Sequence, residues 1–253
     1  MKRCLQFSAQ VLPEKEQEKA PAAVKRLPAI LPKDAADSKN MELISPKIRV
    51  FEKYAGRYDK WYEKNKYVYE SEIEAVRKLI PKNKKGIEIG VGTGRFAAPL
   101  GIKTGIEPSN SMGKIAEKRG IEVIKGIGES ISFESSKFDF ALMVTTVCFL
   151  NDVEAAFMDA WRILKPGGLF IVGLIDKESA LGKYYWKNRA RNPFYRNAVF
   201  YSAAEIIGFM NKTGFKNFKA VQTIFKKPRE IKSIESVKPG YGEGSFVVIR
   251  GEK

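Results

Sequence analysis

The sequence predicts an α/β fold, in which a doubly wound sheet of seven strands follows a helical N-terminal extension. From residue 86 onward, short apolar runs alternate with helix-like stretches, which is the pattern of repeated βαβ units. A glycine-rich turn, "GVGTG" at 90–94, stands between the first apolar run and the stretch after it. A chain of 253 residues is also long enough to bury one such domain.

Two different segments precede the first predicted strand. Residues 1–43 contain prolines among Lys, Glu, Ala and Gln without sustained periodicity, which predicts a flexible tail. From residue 44 large aromatic residues recur every three or four positions, and apolar residues continue this rhythm up to Pro81. We therefore predict a helical leader over 44–80, at the start of a domain that spans 44–253. The aromatic residues of the leader are Phe51, Tyr54, Tyr58, Trp61 and Tyr62.

The strands and helices of the domain follow in order. Apolar runs predict strands at 86–89, 103–107, 122–125, 138–144 and 169–175, the last one after a "KPGG" turn at 165–168. Helix-like stretches lie at 95–100, 109–119 and 152–164. A capping box of Ser202 and Glu205 begins a further helix, which stops at Gly214. Two strands, at about 215–226 and 244–250, complete the seven.

Composition excludes several kinds of site. The chain has no histidine, which removes Ser-His-Asp triads and most zinc chemistry. Its two cysteines, Cys4 and Cys148, form no CxxC pair, so we expect neither a disulfide framework nor a metal site. The apolar runs are too short to span a membrane, and the N-terminus has no apolar segment of signal-peptide length. We therefore expect a cytoplasmic protein that does not interact with membranes.

The net charge of +16 is unevenly distributed. Residues 46–85 carry 12 basic and 6 acidic side chains, and residues 177–253 carry 16 and 6. The segment between them, 86–176, carries 9 basic and 11 acidic side chains, so it is slightly negative. The basic excess thus belongs to the segments that flank the glycine turn and its strands.

The glycine turn itself indicates the kind of ligand. A dinucleotide fingerprint needs its third glycine at position 95, which is Arg95, and no Gly-Lys-Ser/Thr of a P-loop follows. Glu88, two residues before Gly90, would repel a phosphate but suits an ammonium group. Glu107 ends the second strand, where related folds place a carboxylate that accepts hydrogen bonds from ribose. A ligand with a ribose, a cationic amino-acid end and no phosphate is S-adenosylmethionine.

Five segments in order resemble the motifs of class I S-adenosylmethionine-dependent methyltransferases of the small-molecule, type 11-like group. They are "FEKYAGRYDKWY", "GIEIGVGTG", "GIEPSNSM", "GIGESISFESSKFDFALMV" and "AWRILKPGGLFIV". The resemblance implies a Rossmann-like sheet of order 3-2-1-4-5-7-6 with the last strand antiparallel. It also implies S-adenosyl-L-methionine as the cofactor and methyl transfer as the activity.

The resemblance also implies which residues hold the methionine end of the cofactor. Gly90, Gly92 and Gly94 would let the backbone approach it, and Glu88 would orient its amino group. Thr145, after the fourth strand, would lie near the methionyl end.

A second set is implied for the ribose and the adenine. Glu107 would bind the ribose, and Ser109 and Met112 would flank ribose and adenine. Gly128 and Glu129 would lie at the adenine amino group. Three of these residues also have a purely structural alternative. Ser109 would be a helix N-cap, Met112 a core residue, and Glu129 a solvated loop residue.

Candidates for the chemical step are few. Many family members have a histidine-containing stretch after the fourth strand, whereas this chain has "TTVCFLND" there. Tyr58 in the leader and Asp176 after the fifth strand remain as catalytic candidates. Their alternatives are a core tyrosine and a cap of the following helix.

The segment 177–201 is expected to cap the acceptor pocket. It mixes basic and aromatic residues in "GKYYWKNRARNPFYRN", which favours a lid and leaves open an RNA-binding surface. We expect basic residues of this segment to rim the pocket, which predicts a small anionic acceptor. An RNA methyltransferase and a cofactor-binding protein without catalysis are the alternatives. The basic residues are Lys187, Arg189, Arg191 and Arg196.

Overall fold

A computed structural model describes residues 46–253, and the predicted tail at 1–43 lies outside this range. The helices are α1 (Pro46–Lys64), α2 (Lys66–Arg77), α3 (Asn110–Glu117), α4 (Val153–Ile163), α5 (Ala180–Asn188) and α6 (Ala203–Thr213). The strands are β1 (Gly86–Ile89), β2 (Thr104–Ile106), β3 (Glu122–Ile124), β4 (Phe138–Val144), β5 (Leu164–Ile175), β6 (Lys216–Thr223), β7 (Lys238–Pro239) and β8 (Phe246–Glu252).

The strands form one sheet of order β3-β2-β1-β4-β5-β8-β6-β7. β1 to β5 are parallel, and β8 is antiparallel to both β5 and β6, as the resemblance implied. The strand count is eight, because β7 adds a short edge that pairs with β6. Its two residues form no apolar run, and Pro239 is acceptable only because an edge strand can lack one backbone donor.

Helices cover both faces of the sheet, so the central strands are buried on both sides. Along β4, Ala141 and Met143 belong to one apolar core and Leu142 and Val144 to the other, which is the two-residue period of a strand. The first core lies under α4 and α6, and the second lies under α2. This layering leaves the carboxyl ends of the parallel strands available for a site.

The predicted leader is two helices that break at Asn65, with a further non-helical residue at Tyr54 inside α1. The helix-like stretch predicted over 95–100 contains only a short 3₁₀ turn, Ala98–Leu100. Gly101, at a φ of 76°, ends this turn in the left-handed conformation.

The segment 177–201 contributes α5 and then a loop that leads into α6. Ser202 and Glu205 form the predicted capping box of α6. Phe194 in the loop contacts α1, with its ring centre 5.5 Å from that of Phe51 and 5.8 Å from that of Tyr58. None of the helices within residues 46–253 combines the length and the apolarity that a membrane span requires.

Candidate active site

The glycine turn after β1 requires glycine for two reasons. Gly90 and Gly92 have φ angles of 72° and 56°, in the left-handed region that side chains disfavour. A Cβ at Gly90 would also lie 2.5 Å from the Thr146 hydroxyl oxygen, which is too close for any side chain. The backbone N–H groups of Gly90 and Val91 donate to the carbonyl of Ile106, so β2 fixes the turn. The turn therefore brings bare backbone to the carboxyl end of the sheet.

A cavity, here called the cofactor cavity, opens at the ends of β1, β2 and β4. Helix α1 covers it with Lys47, Ile48, Phe51, Tyr58 and Tyr62. The wall of this cavity contains several of the residues that the sequence predicts to bind the cofactor or to act in catalysis. They are Tyr58, Glu88, Gly90, Gly92, Glu107, Met112 and Thr145.

Glu88 is the clearest sign that the cavity holds a cationic group. Its side chain is 2% exposed, and Oε2 has no hydrogen-bond partner among residues 46–253. Burial raises its pKa well above the ordinary value, and the nearby Glu107 carboxyl adds to the rise. A buried carboxyl oxygen without a partner is costly, so an ammonium group at this position would satisfy Oε2. The ammonium end of S-adenosylmethionine fits this requirement.

Glu107 is held in a fixed orientation at the end of β2. Its Oε2 accepts from the backbone N–H of Gly92 and its Oε1 from that of Ser109, both at 2.9 Å. Burial raises its pKa to about 7, although these two hydrogen bonds lower it. Each oxygen retains a lone pair, so the carboxylate is suited to accept from two ribose hydroxyls.

Ser109 is the N-cap of α3, as its structural alternative stated: its Oγ accepts from the N–H of Met112 at 3.2 Å. The same hydroxyl donates to Glu52 of α1 at 2.6 Å, and Glu52 also accepts from the Oγ of Ser111 at 2.6 Å. Sequence analysis missed Glu52. The sequence shows only that Glu52 is an acidic residue in the leader. Such a residue is suited to the N-terminus of a helix, here that of α3.

A second contact that the sequence did not reveal ties α1 to the glycine turn. Asp59 accepts from Nε and Nη2 of Arg95, both at 2.8 Å, and from Nη2 of Arg119 at 2.9 Å. These hydrogen bonds lower the pKa of Asp59 to about 2, although burial alone would raise it. Helix α1 is therefore held over the cofactor cavity by contacts near both ends of α3: Glu52 binds at the N-terminal end and Asp59 near the C-terminal end.

Four predicted cofactor residues, Ser109 among them, lie outside the wall of this cavity. A Cβ at Gly94 would lie 3.2 Å from Ala116, and one at Gly128 would lie 3.2 Å from Ile89. Glu129 accepts from the backbone N–H of Asn151 at 2.7 Å. These contacts are structural, and the roles of Gly94, Gly128 and Glu129 toward the cofactor stay predictions.

Tyr58 and Thr145 lie where the cofactor cavity meets a second one. The Tyr58 hydroxyl is 2.7 Å from that of Tyr62 and also hydrogen-bonds to Thr145. Burial raises the pKa of Tyr58 to about 12, so it is a neutral hydroxyl near pH 7. The second cavity, here called the acceptor cavity, shares Thr145 with the first. Its wall consists of Thr145, Val147, Cys148, Leu174, Ile175, Tyr195, Phe200 and Tyr201.

Asp176 lies in the wall of neither cavity. It is 4% exposed, and its Oδ1 accepts from the N–H of Glu178 at 2.8 Å. Its Oδ2 accepts from the N–H of Ala203, the first residue of α6, at 3.3 Å. Asp176 thus caps the N-terminus of α6, as its structural alternative stated, and its catalytic role stays a prediction.

None of the four cations expected at the rim is in the wall of either cavity, and a basic rim stays a prediction. Arg189 lies over the ring of Trp186, with its guanidinium carbon 4.5 Å from the ring centre. Lys187, Arg191 and Arg196 are exposed. Long cationic side chains keep their charge in water. The side chains of this loop that face the protein are aromatic: Phe194 contacts Tyr58, and Tyr195 is in the wall of the acceptor cavity.

Comparisons with known proteins show the family of this chain. Residues 87–172 match the family profile described as a methyltransferase domain. An uncharacterized protein of Methanocaldococcus jannaschii is 50% identical over 81% of this chain and 100% of its own length. A Thermotoga maritima crystal structure superposes with a TM-score of 0.80 at 52% identity, over 82% of this chain and 99% of that one. It is described as an S-adenosylmethionine-dependent methyltransferase, a possible histamine N-methyltransferase.

A structure from Archaeoglobus fulgidus, at 15% identity and a TM-score of 0.59, shares the fold over 78% of this chain and 99% of its own. The profile, the relatives and the orphaned carboxyl at the end of β1 agree with one another. The chain belongs to the class I S-adenosylmethionine-dependent methyltransferases, and S-adenosyl-L-methionine is its cofactor.

Proposed function

We propose that this enzyme methylates a small molecule that enters through the acceptor cavity. The observation that supports this most directly is Thr145, which lies in the walls of both cavities. The acceptor cavity is walled largely by aromatic and aliphatic side chains, which suits a small organic body.

Some residues of the chain would bind the cofactor, and another would orient the acceptor. Glu88 would hold the cofactor's ammonium group and Glu107 its ribose, while the bound cofactor supplies an electrophilic methyl group. Tyr58 would contact the acceptor through its neutral hydroxyl, because it lies beside Thr145. Since the phenol keeps its proton near neutral pH, we assign Tyr58 to orientation rather than to proton removal.

Other acceptors have less support. The anionic acceptor stays a prediction, and the cations on which it relied are in the wall of neither cavity. The RNA acceptor is the second candidate, because Tyr184 and Trp186 are exposed beside Lys187. The description of the Thermotoga maritima protein adds histamine, an amine, to the compounds worth testing.

Incubation with methyl-labelled cofactor and a fractionated cell extract tests the proposal. We expect label in a small-molecule fraction, and reduced labelling by Tyr58→Phe with unchanged cofactor affinity. Lys187→Glu is the matched control, since this residue lies outside both cavities. Label in RNA that the control variant removes would favour the second candidate. Binding of cofactor without any labelled product would contradict methyl transfer by this chain.

Cofactor affinity should depend on pH because Glu107 has to be ionised to accept two hydroxyl donors. With a pKa of about 7, Glu107 is increasingly protonated below that pH, and binding should release a proton. We expect S-adenosylhomocysteine to bind about five- to tenfold more weakly at about pH 6 than at about pH 8. Calorimetry in buffers of different ionisation enthalpy measures both effects. An affinity that does not change with pH, or the same slope in Glu107→Gln, would exclude this carboxyl as the source.

A further inference from the structure

The wall of the acceptor cavity carries no formal charge. Among residues 46–253 it consists of four apolar side chains and four that hold a neutral thiol or hydroxyl group. The neutral polar ones are Thr145, Cys148, Tyr195 and Tyr201. Charged side chains line the cofactor cavity instead, and these are Lys47, Glu88, Arg95 and Glu107. The acceptor cavity is therefore a neutral compartment beside a charged one.

The charged groups of the cofactor cavity have other partners. Lys47 donates to a backbone carbonyl at 2.6 Å, and Nη2 of Arg95 lies 2.8 Å from the carboxylate of Asp59. Glu107 accepts from two backbone N–H groups, and the proposed function assigns Glu88 to the ammonium group of the cofactor. A charge on an acceptor in the neighbouring cavity would thus meet no counter-ion among the wall residues of the described range. Burying an unpaired charge is costly, whereas a neutral group is buried cheaply.

Two tyrosines of the acceptor cavity suit a neutral acceptor with polar atoms. The hydroxyls of Tyr195 and Tyr201 form no hydrogen bond with any residue in 46–253. Their rings are held by aromatic contacts, with centres 5.7 Å from that of Phe200 and 5.8 Å from that of Phe209. A neutral molecule could therefore pack against these rings and form hydrogen bonds with their hydroxyls.

No side chain in this wall, among those of residues 46–253, is suited to remove a proton near pH 7. Burial raises the pKa of Cys148 to about 12 and also raises the pKa values of Tyr195 and Tyr201. Asp176 is in the wall of neither cavity. An alcohol has to lose its proton as it attacks, so it needs a base. A neutral nitrogen or sulfur atom attacks with a lone pair that is already free.

We infer that the methyl acceptor is uncharged when it binds, and that its methylated atom is a nitrogen or sulfur with a free lone pair. This lone pair forms the bond to the methyl carbon while the bond from that carbon to the sulfonium breaks, and the electron pair of the broken bond stays on the cofactor's sulfur. The acceptor atom gains the positive charge, and an N–H or S–H proton on it then leaves to water. This inference rests on the proposed function, since it names the class of the acceptor for the same cavity.

Titration of the complex with S-adenosylhomocysteine tests the charge of the acceptor without turnover. The probes are benzyl alcohol, benzylamine and benzoate, which have bodies of similar size and carry no, a positive or a negative charge near pH 7. We expect the alcohol to bind about tenfold or more tightly than either ion in titrations followed by NMR. Binding of either ion as tight as that of the alcohol, or no binding of the alcohol, would overturn the inference.

A charge placed in the wall locates the preference. Tyr201→Lys should remove the advantage of the alcohol over benzoate, because the wall then holds a counter-ion for the carboxylate. The matched control is Tyr184→Lys, since Tyr184 is exposed on α5 and is in the wall of neither cavity. Both variants should bind S-adenosylhomocysteine like the wild type, which confirms that they fold. An advantage over benzoate that persists in Tyr201→Lys would overturn the assignment of the preference to this cavity.

The extract experiment separates this inference from the proposed function. A labelled small molecule with the methyl group on nitrogen or sulfur, whose unmethylated form is uncharged near pH 7, supports both. Label on oxygen or carbon, or an acceptor that is an ion near pH 7, would leave the proposed function intact and overturn the inference. No labelled small molecule would contradict the proposed function, while the three-probe titration would still decide whether the cavity prefers uncharged molecules.

Discussion

Glu107→Ala is expected to weaken the binding of S-adenosylhomocysteine about ten- to a hundredfold, which is about 1.5–3 kcal/mol. The substitution removes the acceptor of two ribose hydroxyls, and hydrogen bonds to a charged group are the stronger kind. It also leaves the N–H groups of Gly92 and Ser109 without their acceptor. Titration calorimetry on both proteins measures the loss.

The control for this variant is Glu122→Ala, an exposed glutamate on the adjacent strand β3. It should bind like the wild type. Glu107→Gln should lie between wild type and Glu107→Ala, since an amide keeps one acceptor oxygen but carries no charge. An affinity of Glu107→Ala equal to that of the wild type would mean that the ribose binds elsewhere.

Asp59→Ala should lower the free energy of unfolding by about 2–3 kcal/mol. Arg95 and Arg119 both donate to this carboxylate, and the side chains of Asp59 and Arg95 are 14% and 16% exposed. Removing the acid leaves two guanidinium groups close together with little water around them. Urea denaturation followed by circular dichroism measures the change.

Glu63→Ala is a closely matched control because Glu63 accepts from the same arginine at 2.9 Å but is 63% exposed. It should cost less than about 0.5 kcal/mol. The pKa of Asp59 is depressed to about 2, so its contribution is present above about pH 4 and is lost as the pH falls through 2. Wild type and Asp59→Ala should therefore converge in stability toward low pH. A constant difference down to about pH 2 would contradict the ion-pair explanation.

The parts of the fold that local patterns encode were predictable from the sequence. The run at 138–144 is a strand with those bounds, and Ser202 begins α6 with its capping box. The strand β7 was not predictable, since two residues at an edge obtain their partner only from the tertiary structure. The apolar spacing at 95–100 is that of a helix, but Gly101 in the left-handed conformation ends the segment after the short 3₁₀ turn Ala98–Leu100.

The same distinction between local patterns and tertiary contacts applies to the residues of the site. Glu88 and Glu107 could be located because their positions at strand ends are fixed by spacing from the glycine turn. Glu52 and Asp59 bind partners more than 30 residues away, and one sequence gives no signal for such pairs. The positions of the cations at 187–196 relative to the cavities are not encoded locally, because composition does not say which way a side chain points.

Phe194 has a consequence for the order of events in the catalytic cycle. Its ring joins the loop beside the acceptor cavity to α1, the helix that covers the cofactor cavity. Neither covering element can move far without disturbing this contact, so we expect the two ligands to be linked thermodynamically, each changing the affinity for the other by the same factor. Cofactor exchange then requires that the acceptor side open as well. The kinetics should be sequential, with the cofactor binding first and S-adenosylhomocysteine leaving last.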